Sequence, residues 1–349
     1  GESRDIRLPY TIHKKIGKEY FVRISFSLKH SELWAHAGYE IASNQIELPV
    51  KPVLLNKENN GGMLGLQDKN TEIQIKGKQF SLVFDKIKGT FIQFVSNGKE
   101  LLAQGGGPML HLWRAPHRND DMWAYGMWER YGLDDLKWHV DTVSLKRLKS
   151  NLIQIVAVLE GIGKEGFSVH HGVTYTINGN GTISSVNHVS FNKTDIPLAR
   201  IGVRIFLDKT LANVIYFGRG PMENYSDRKL GSDIGLYSNT VKGLMTPYEK
   251  PMECGNHEDV RYVKIYNDSD QGIIVKEVKD LFQFSALPYS DEEMRNVEYK
   301  IDLPKSNNTV LCVDHKTLGC GSGSCGPIPL PEYRVYSQPD NFSYKIELL

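Results

Sequence analysis

The side chains best suited to binding or catalysis in this chain are concentrated in residues 216–228. Their sequence is Tyr-Phe-Gly-Arg-Gly-Pro-Met-Glu-Asn-Tyr-Ser-Asp-Arg. The side chains that can form ion pairs or hydrogen bonds here are Arg219, Glu223, Asn224, Tyr225, Asp227 and Arg228. Such a set can hold its own loop together, because each buried polar group needs a partner. It can also bind the hydroxyl groups of a sugar. The composition favours the structural role, and Gly218, Gly220 and Pro221 predict a shaped turn rather than a strand interior.

Four pairs of adjacent carboxylates are weaker candidates for catalysis. They are Asp120 with Asp121, Asp134 with Asp135, Glu258 with Asp259, and Glu292 with Glu293. A glycosidase needs two carboxylates that face each other across a bond, about 5–9.5 Å apart, whereas neighbours on a strand point to opposite faces. We therefore predict that these pairs are solvated turns and helix starts. The same alternation separates His170 from His171, which disfavours a shared metal ion.

Two further segments leave their roles open. Six aromatic rings lie within residues 113–138, namely Trp113, Trp123, Tyr125, Trp128, Tyr131 and Trp138. Such rings can stack on the faces of sugars, and they can equally fill a hydrophobic core. The glycine-rich residues 318–327 could approach a ligand closely or could form a flexible hairpin tip.

Cysteine usage and charge exclude several classes of function. Cys254, Cys312, Cys320 and Cys325 lack the spacing of a zinc or redox motif, so we expect free thiols. The formal net charge of +1 over 349 residues gives no electrostatic case for nucleic acid or an anionic membrane as a partner. The sequence also contains no apolar run long enough to span a bilayer.

The dominant hydrophobic period is two, which predicts strands. Residues 22–28 and 80–84 alternate between apolar and polar side chains, and residues 173–177 run into Asn-Gly-Asn-Gly, a strong hairpin signal. Helical signals are few: a short helix over residues 123–130, and a helix start at Ser290 with Glu293 in the capping-box position. The pattern predicts an all-β protein with many short strands.

A polar, flexible stretch predicts a boundary between residues 48 and 70. We expect residues 1–50 to be the C-terminal part of an immunoglobulin-like β-sandwich, residues 51–69 to be a linker, and residues 70–349 to form one large β domain. About three strands before the linker are too few for an independent sandwich.

Several motifs together resemble the C-terminal region of the β-galactosidases of glycoside hydrolase family 2. Residues 113–120 match the family pattern W-R-A-P-x-x-N-D, and residues 132–134 match the following G-L-D. Residues 218–228 match G-R-G-P-x-E-N-Y-x-D-R, and residues 248–260 and 327–333 continue in family order. Residues 20–48 resemble the end of the preceding immunoglobulin-like domain.

The resemblance implies an antiparallel supersandwich like that of galactose mutarotases. It also implies that the catalytic glutamates of a retaining β-galactosidase, and its Mg and Na sites, lie in an upstream (α/β)₈ barrel, so that this chain alone is inactive and holds no cofactor. The final domain of the family lends a Trp to the rim of the galactose site. The corresponding position here is Cys325, which makes Gly323, Ser324 and Cys325 candidate substrate-binding residues in a shorter loop. The implied role of Arg219, Glu223, Asn224, Asp227 and Arg228 is structural.

The resemblance also implies a galactoside substrate and a homo-oligomer for the full-length protein. Two other functions remain as alternatives, a stand-alone carbohydrate-binding module and an aldose epimerase-like protein. An epimerase needs a general acid and base that converge on the anomeric carbon, and the sequence offers no evident His/Glu pair for that task.

Overall fold

The computed structural model describes residues 2–13, 15, 17–50, 61–103 and 105–349. The chain divides into two compact units, Gly1–Asn59 and Asn60–Leu349. In its described residues the first unit contains an antiparallel pair of strands, β1 (Phe21–Ser27) and β2 (Glu40–Glu47). β1 coincides with the alternating segment that predicted a strand. None of the described residues before residue 51 is buried, and two strands alone make a marginal sheet.

The second unit is built almost entirely from strands. Strands β3 to β12 are Gly65–Asp68, Glu72–Lys76, Phe80–Asp85, Thr90–Ser96, Lys99–Glu100, Met109–His111, Lys137–Lys149, Leu152–Ile162, Ser168–Asn178 and Ile183–Phe191. Strands β13 to β23 are Pro197–Leu198, Arg200–Asp208, Asn213–Gly220, Asp233–Thr240, His257–Val260, Tyr262–Tyr266, Gly272–Glu277, Phe282–Leu287, Asn308–Thr317, Val335–Tyr336 and Asp340–Leu348. The predicted hairpin connects β11 to β12.

These strands form one large sheet and three smaller ones. The nine-stranded sheet has the order β16-β15-β18-β19-β23-β12-β11-β10-β9, and the two five-stranded sheets have the orders β17-β20-β21-β14-β8 and β3-β4-β5-β6-β7. β13 and β22 pair separately. The ladders between these strands are antiparallel, which confirms the prediction of a large antiparallel supersandwich.

One hydrophobic core joins the nine-stranded sheet to both five-stranded sheets. Ile153 on β10, Phe84 on β5 and Val203 on β14 are each no more than 1% exposed. Burial of each such side chain contributes about 1.5–3 kcal/mol. Because side chains alternate along a strand, Ile201, Val203, Ile205 and Leu207 of β14 face this core, while Arg200 and Arg204 lie on the opposite face of the same strand. That second face borders the candidate site.

Within the described part of the chain, four short helices connect the strands: α1 (Arg118–Asp121), α2 (Ala124–Tyr131), α3 (Val241–Leu244) and α4 (Asp291–Arg295). Two 3₁₀ turns occupy Lys300–Asp302 and Pro331–Tyr333. α2 confirms the predicted helix over residues 123–130, and Gly132 ends it with a φ of 66°. α4 begins with the predicted capping box, in which the Glu293 N–H donates to Ser290 Oγ and the Ser290 N–H donates to the Glu293 carboxylate.

The described residues include only part of the segment predicted as a linker, residues 51–69. Residues 51–60 lie outside the described residues, and β3 occupies Gly65–Asp68 and pairs with β4. The last residues of that segment therefore belong to a sheet of the second unit. Among the helices of the described residues, none is both long enough and apolar enough to cross a membrane.

Candidate functional site

The residues 216–228 begin as a strand and end as a loop. Gly218 and Gly220 lie in β15, where they pair with Gly235 and Asp233 of β16, so the prediction of a turn at these two glycines was wrong. A Cβ atom at Gly218 would lie 2.8 Å from Val260 Cγ2. The glycine therefore serves close packing against β17 rather than a turn. The peptide bond between Gly220 and Pro221 is cis, and the loop starts there.

Glu223 is the centre of one local network. Its carboxylate accepts hydrogen bonds from Thr246 Oγ1 (2.8 Å), Tyr248 Oη (2.6 Å) and the Gly255 N–H (2.7 Å), and it pairs with Arg228 at 2.9 Å. Burial alone would raise the pKa of Glu223, but the hydrogen bonds from Tyr248, Gly255 and Thr246, together with the charge of Arg228, outweigh it and lower the pKa. The Glu223 carboxylate is therefore ionised, and its hydrogen bonds hold this loop in place.

Arg219 and Asn224 complete the internal contacts of the loop. Arg219 forms an ion pair with Asp259 and donates to the Ser232 carbonyl oxygen at 2.9 Å. Asn224 is fully buried, donates to the Met222 carbonyl oxygen at 2.9 Å and accepts the Glu258 N–H at 2.8 Å. These contacts fix the loop against β17.

Asp227 differs from its neighbours because it reaches a different part of the chain. Its Oδ1 accepts the Cys320 N–H at 2.9 Å and its Oδ2 accepts the Gly321 N–H at 2.7 Å. The two most conspicuous segments of the sequence, residues 216–228 and the glycine-rich residues 318–327, therefore meet through one carboxylate.

A third segment, residues 113–120, contacts the same glycine-rich loop. Arg114 forms a buried ion pair with Asp120 at 2.7 Å and donates to the Leu318 carbonyl oxygen at 2.7 Å. Asn119 donates to the Gly321 carbonyl oxygen at 3.0 Å, and its Oδ1 accepts the Ser324 N–H at 3.0 Å. Residues 318–326, called the rim loop below, are thus held from two sides.

The three candidate substrate-binding residues lie at the tip of the rim loop. Gly323 is buried against Asn119, and a Cβ atom there would lie 2.7 Å from the Asn119 carbonyl oxygen. Ser324 and Cys325 are exposed, and Cys325 is a free thiol. Their side chains offer a hydroxyl group and a thiol at the protein surface.

The predicted solvation of the acidic pairs was wrong at two positions. Asp120 is 1% exposed and Glu258 is 3% exposed. Each has a cationic partner, Arg114 for Asp120 and Lys229 for Glu258, and a paired carboxylate can be buried at tolerable cost.

Sequence reasoning missed a buried ion cluster on the outer face of β14. Arg200 pairs with Glu253 and, at 2.9 Å, with Asp314 of β21, and Tyr225 Oη donates to Glu253 at 3.3 Å. Burial raises the pKa of Glu253 to about 7 and that of Asp314 to about 6, although Arg200 opposes both shifts. Two arginines four residues apart on an otherwise apolar strand were the available signal.

The aromatic rings of residues 113–138 mostly serve the core. Trp113 and Trp128 are at most 1% exposed, and the Trp128 Nε1–H donates to the Pro197 carbonyl oxygen at 2.8 Å. Trp123, Tyr125, Tyr131 and Trp138 are partly buried and pack against the same core. None of these six rings is therefore a clear candidate for stacking on a sugar.

One buried cluster, His111, Asp291 and Cys312, contains potential metal ligands. His111 turns different ring nitrogens to its neighbours: Nδ1 lies 3.9 Å from Cys312 Sγ, and Nε2 lies 3.5 Å from Asp291 Oδ2. An ion bound to either ring nitrogen would therefore face only one of the two neighbouring ligand atoms. The charge of Arg204, 3.5 Å from Asp291, also opposes a cation. The cluster does not suit Mg²⁺ or Na⁺, which prefer oxygen ligands.

Comparison with known proteins gives matches over nearly the whole chain. Residues 76–348 match a family model described as β-galactosidase small chain, and residues 1–49 match one described as β-galactosidase, domain 4. A β-galactosidase of Priestia megaterium is 28% identical over 337 residues, and one of Actinobacillus pleuropneumoniae is 28% identical over 354 residues. The alignments cover 95% and 98% of this chain but 32% and 33% of those proteins.

The chain therefore spans about a third of the length of the curated relatives that it matches. Among solved structures, a galactose mutarotase-like protein from Lactobacillus casei aligns with a TM-score of 0.43 at 9% identity, over 80% of this chain and 100% of that one.

Proposed function

The chain belongs to the β-galactosidase small-chain family, and from this premise we propose that it completes the active-site rim of a β-galactosidase whose catalytic barrel lies elsewhere in a longer polypeptide. The rim loop carries the proposal. It presents Ser324 and Cys325 at the surface, and side chains from two other segments hold its backbone. A loop that is fixed before a ligand arrives binds at a lower entropic cost.

The substrate of the complete enzyme is a terminal β-D-galactoside in this proposal, by analogy with the relatives named above. The rim loop would contact the sugar through the Ser324 hydroxyl group and the Cys325 side chain. Cys325 replaces an aromatic ring in the family pattern, so the contact would be a small apolar one without stacking. Mg and Na ions would be held by the catalytic part, with no ligand from this chain.

The buried ion cluster around Arg200 cannot supply the general acid and base that the epimerase alternative requires. The side chains of Arg200, Glu253 and Asp314 are at most 3% exposed. A general acid or base must come within hydrogen-bonding distance of the sugar, and these groups are closed to a molecule of that size. We propose a structural role for this cluster.

The complete protein is proposed to be a homo-oligomer, on the strength of the family resemblance. Light scattering of the full polypeptide measures this directly, and a monomeric mass at micromolar concentration would contradict it.

The chain by itself is expected to leave nitrophenyl β-galactoside intact, because in this proposal the catalytic glutamates lie in the barrel elsewhere in the polypeptide. The complete polypeptide should hydrolyse the same substrate, and a variant of it that lacks residues 318–326 should do so with a higher KM. The measurement is release of nitrophenol under matched conditions. Turnover by the isolated chain above the uncatalysed rate would refute the proposal.

A further inference from the structure

We propose that Asp227 and Asn119 are positioning residues that clamp the rim loop in the conformation needed to bind galactoside. The part of this inference that concerns substrate rests on the function proposed above. The part that concerns the clamp rests on the chain's own hydrogen bonds, and the two parts are tested separately below.

Asp227 is committed to the rim loop rather than to its own loop. The two arginines nearest to it in sequence have other carboxylate partners, since Arg219 pairs with Asp259 and Arg228 pairs with Glu223. Both oxygens of Asp227 instead accept consecutive backbone N–H groups, from Cys320 and Gly321. Hydrogen bonds to a carboxylate are stronger than those between neutral groups. Asp227 therefore fixes the direction in which the chain enters the loop.

Asn119 holds the other side of the same loop. Its amide donates to the Gly321 carbonyl oxygen and its Oδ1 accepts the Ser324 N–H. Because Ser324 precedes Cys325, this second bond places the loop tip directly. The peptide groups on both sides of Gly321 are thus engaged, one by Asp227 and one by Asn119.

Gly319 and Gly323 lie where Asp227 and Asn119 closely approach the backbone of the rim loop. A Cβ atom at Gly319 would lie 2.7 Å from Asp227 Cγ, and one at Gly323 would lie 2.7 Å from the Asn119 carbonyl oxygen. Real Cβ contacts are not this short, so glycine is needed at both positions. Close approach of the segments that hold the loop therefore explains Gly319 and Gly323, and a flexible tip is not needed to explain them.

Two cysteines in the loop report on the clamp. Cys325 is exposed, whereas Cys320 is only partly exposed, and the burial of its thiol raises the pKa of that group to about 12. Since the thiolate is the reactive form, Cys325 should react with iodoacetamide and Cys320 should not. Cys254 and Cys312 are buried in the core of the unit, and their raised pKa values keep them unreactive as well.

The clamp is tested by labelling the native chain with iodoacetamide at pH 7.5 and mapping the modified thiols by mass spectrometry. The unmodified chain is expected to label at Cys325 alone. Asp227→Asn and Asn119→Ala are expected to label at Cys320 as well, at a rate within about tenfold of Cys325, because release of the backbone exposes that thiol. Asp121→Asn removes a nearby surface carboxylate that does not contact the rim loop, and it should label like the unmodified chain.

Circular dichroism and urea unfolding verify that each variant is folded. If Asp227→Asn is not folded, the labelling of Asn119→Ala decides the outcome. Labelling confined to Cys325 in a folded Asp227→Asn or Asn119→Ala chain would overturn the clamp.

The effect on substrate is measured in the complete enzyme. Asp227→Asn is expected to raise KM for nitrophenyl β-galactoside on the order of tenfold with kcat within about twofold, since a rim contact is made equally in the ground and transition states. Asp121→Asn should leave both constants unchanged. If Asp227→Asn exposes Cys320 but leaves KM unchanged, the clamp stands and the role of the rim loop in substrate binding is overturned.

Discussion

Replacement of Arg200 by leucine is expected to lower the free energy of unfolding of the second unit by about 3–5 kcal/mol, because it leaves two buried carboxylates without their cation. Glu253 and Asp314 both contact this guanidinium group, and all three side chains are at most 3% exposed. The carboxylates would then have to take up protons or admit water. Urea unfolding followed by circular dichroism at pH 8 measures the change.

Two further variants make the Arg200 prediction specific. Arg118→Leu removes an arginine whose side chain is 82% exposed and whose ion pair with Asp121 spans 3.5 Å, and such surface pairs contribute little. It should unfold at the same urea concentration as the unmodified chain. Adding Glu253→Gln to Arg200→Leu should recover part of the lost stability, because it removes one unpaired charge. Equal urea midpoints for Arg200→Leu and the unmodified chain would contradict the account of this cluster.

The second large effect concerns pH. Burial lowers the pKa of His117, His171 and His257 from 6.5 to about 4. A group with a depressed folded-state pKa stabilises the fold above its unfolded pKa and loses that contribution as the pH falls to the folded value. Each histidine therefore lowers the free energy of unfolding by about 3 kcal/mol as the pH falls from 6.5 to 4, at about 1.4 kcal/mol per pKa unit.

Glu253 and Asp314 act in the opposite direction. Their raised pKa values, about 7 and about 6, give stability that is present below the unfolded values of 4.5 and 3.8 and is lost as the pH rises through the folded values. The histidines outnumber them, and burial also lowers the pKa of His111. The net free energy of unfolding should therefore fall from pH 6.5 to pH 4.

His171→Gln isolates one histidine of this set. His171 is buried, and its Nε2 lies 3.0 Å from Asn187 Oδ1, a contact that the glutamine amide can replace. The variant should lose about 3 kcal/mol less stability than the unmodified chain between pH 6.5 and pH 4. The same substitution at the exposed His170 is the matched control. Parallel pH profiles for His171→Gln and the unmodified chain would show that His171 is not held neutral.

Local patterns in the sequence were enough to predict the elements, and they failed where distant segments meet. Alternation predicted the strands, Asn-Gly-Asn-Gly predicted the hairpin between β11 and β12, and Ser290 with Glu293 predicted the start of α4, because each depends on neighbours in sequence. Gly218 was misassigned because its close approach to Val260 is a tertiary contact. The same holds for Asp120, whose burial depends on Arg114 folding onto it.

The candidate site shows the same limit. The sequence and its family resemblance indicated residues 216–228 and residues 323–325 as separate features, one structural and one near substrate. Their connection through Asp227 links residues 93 and 94 positions apart in the chain, and no local pattern encodes such a pairing. The buried partners of Arg200 lie 53 and 114 positions away, which hid that cluster for the same reason.

Protection of Cys325 by substrate is the measurement that tests the central claim most directly. In the complete enzyme, a saturating, non-hydrolysed galactoside should slow alkylation of Cys325 by about tenfold or more, because the sugar would cover the tip of the rim loop. The same concentration of a glucoside that does not bind should have no effect. An alkylation rate that is unchanged by bound galactoside would contradict the assignment of this loop to the active-site rim.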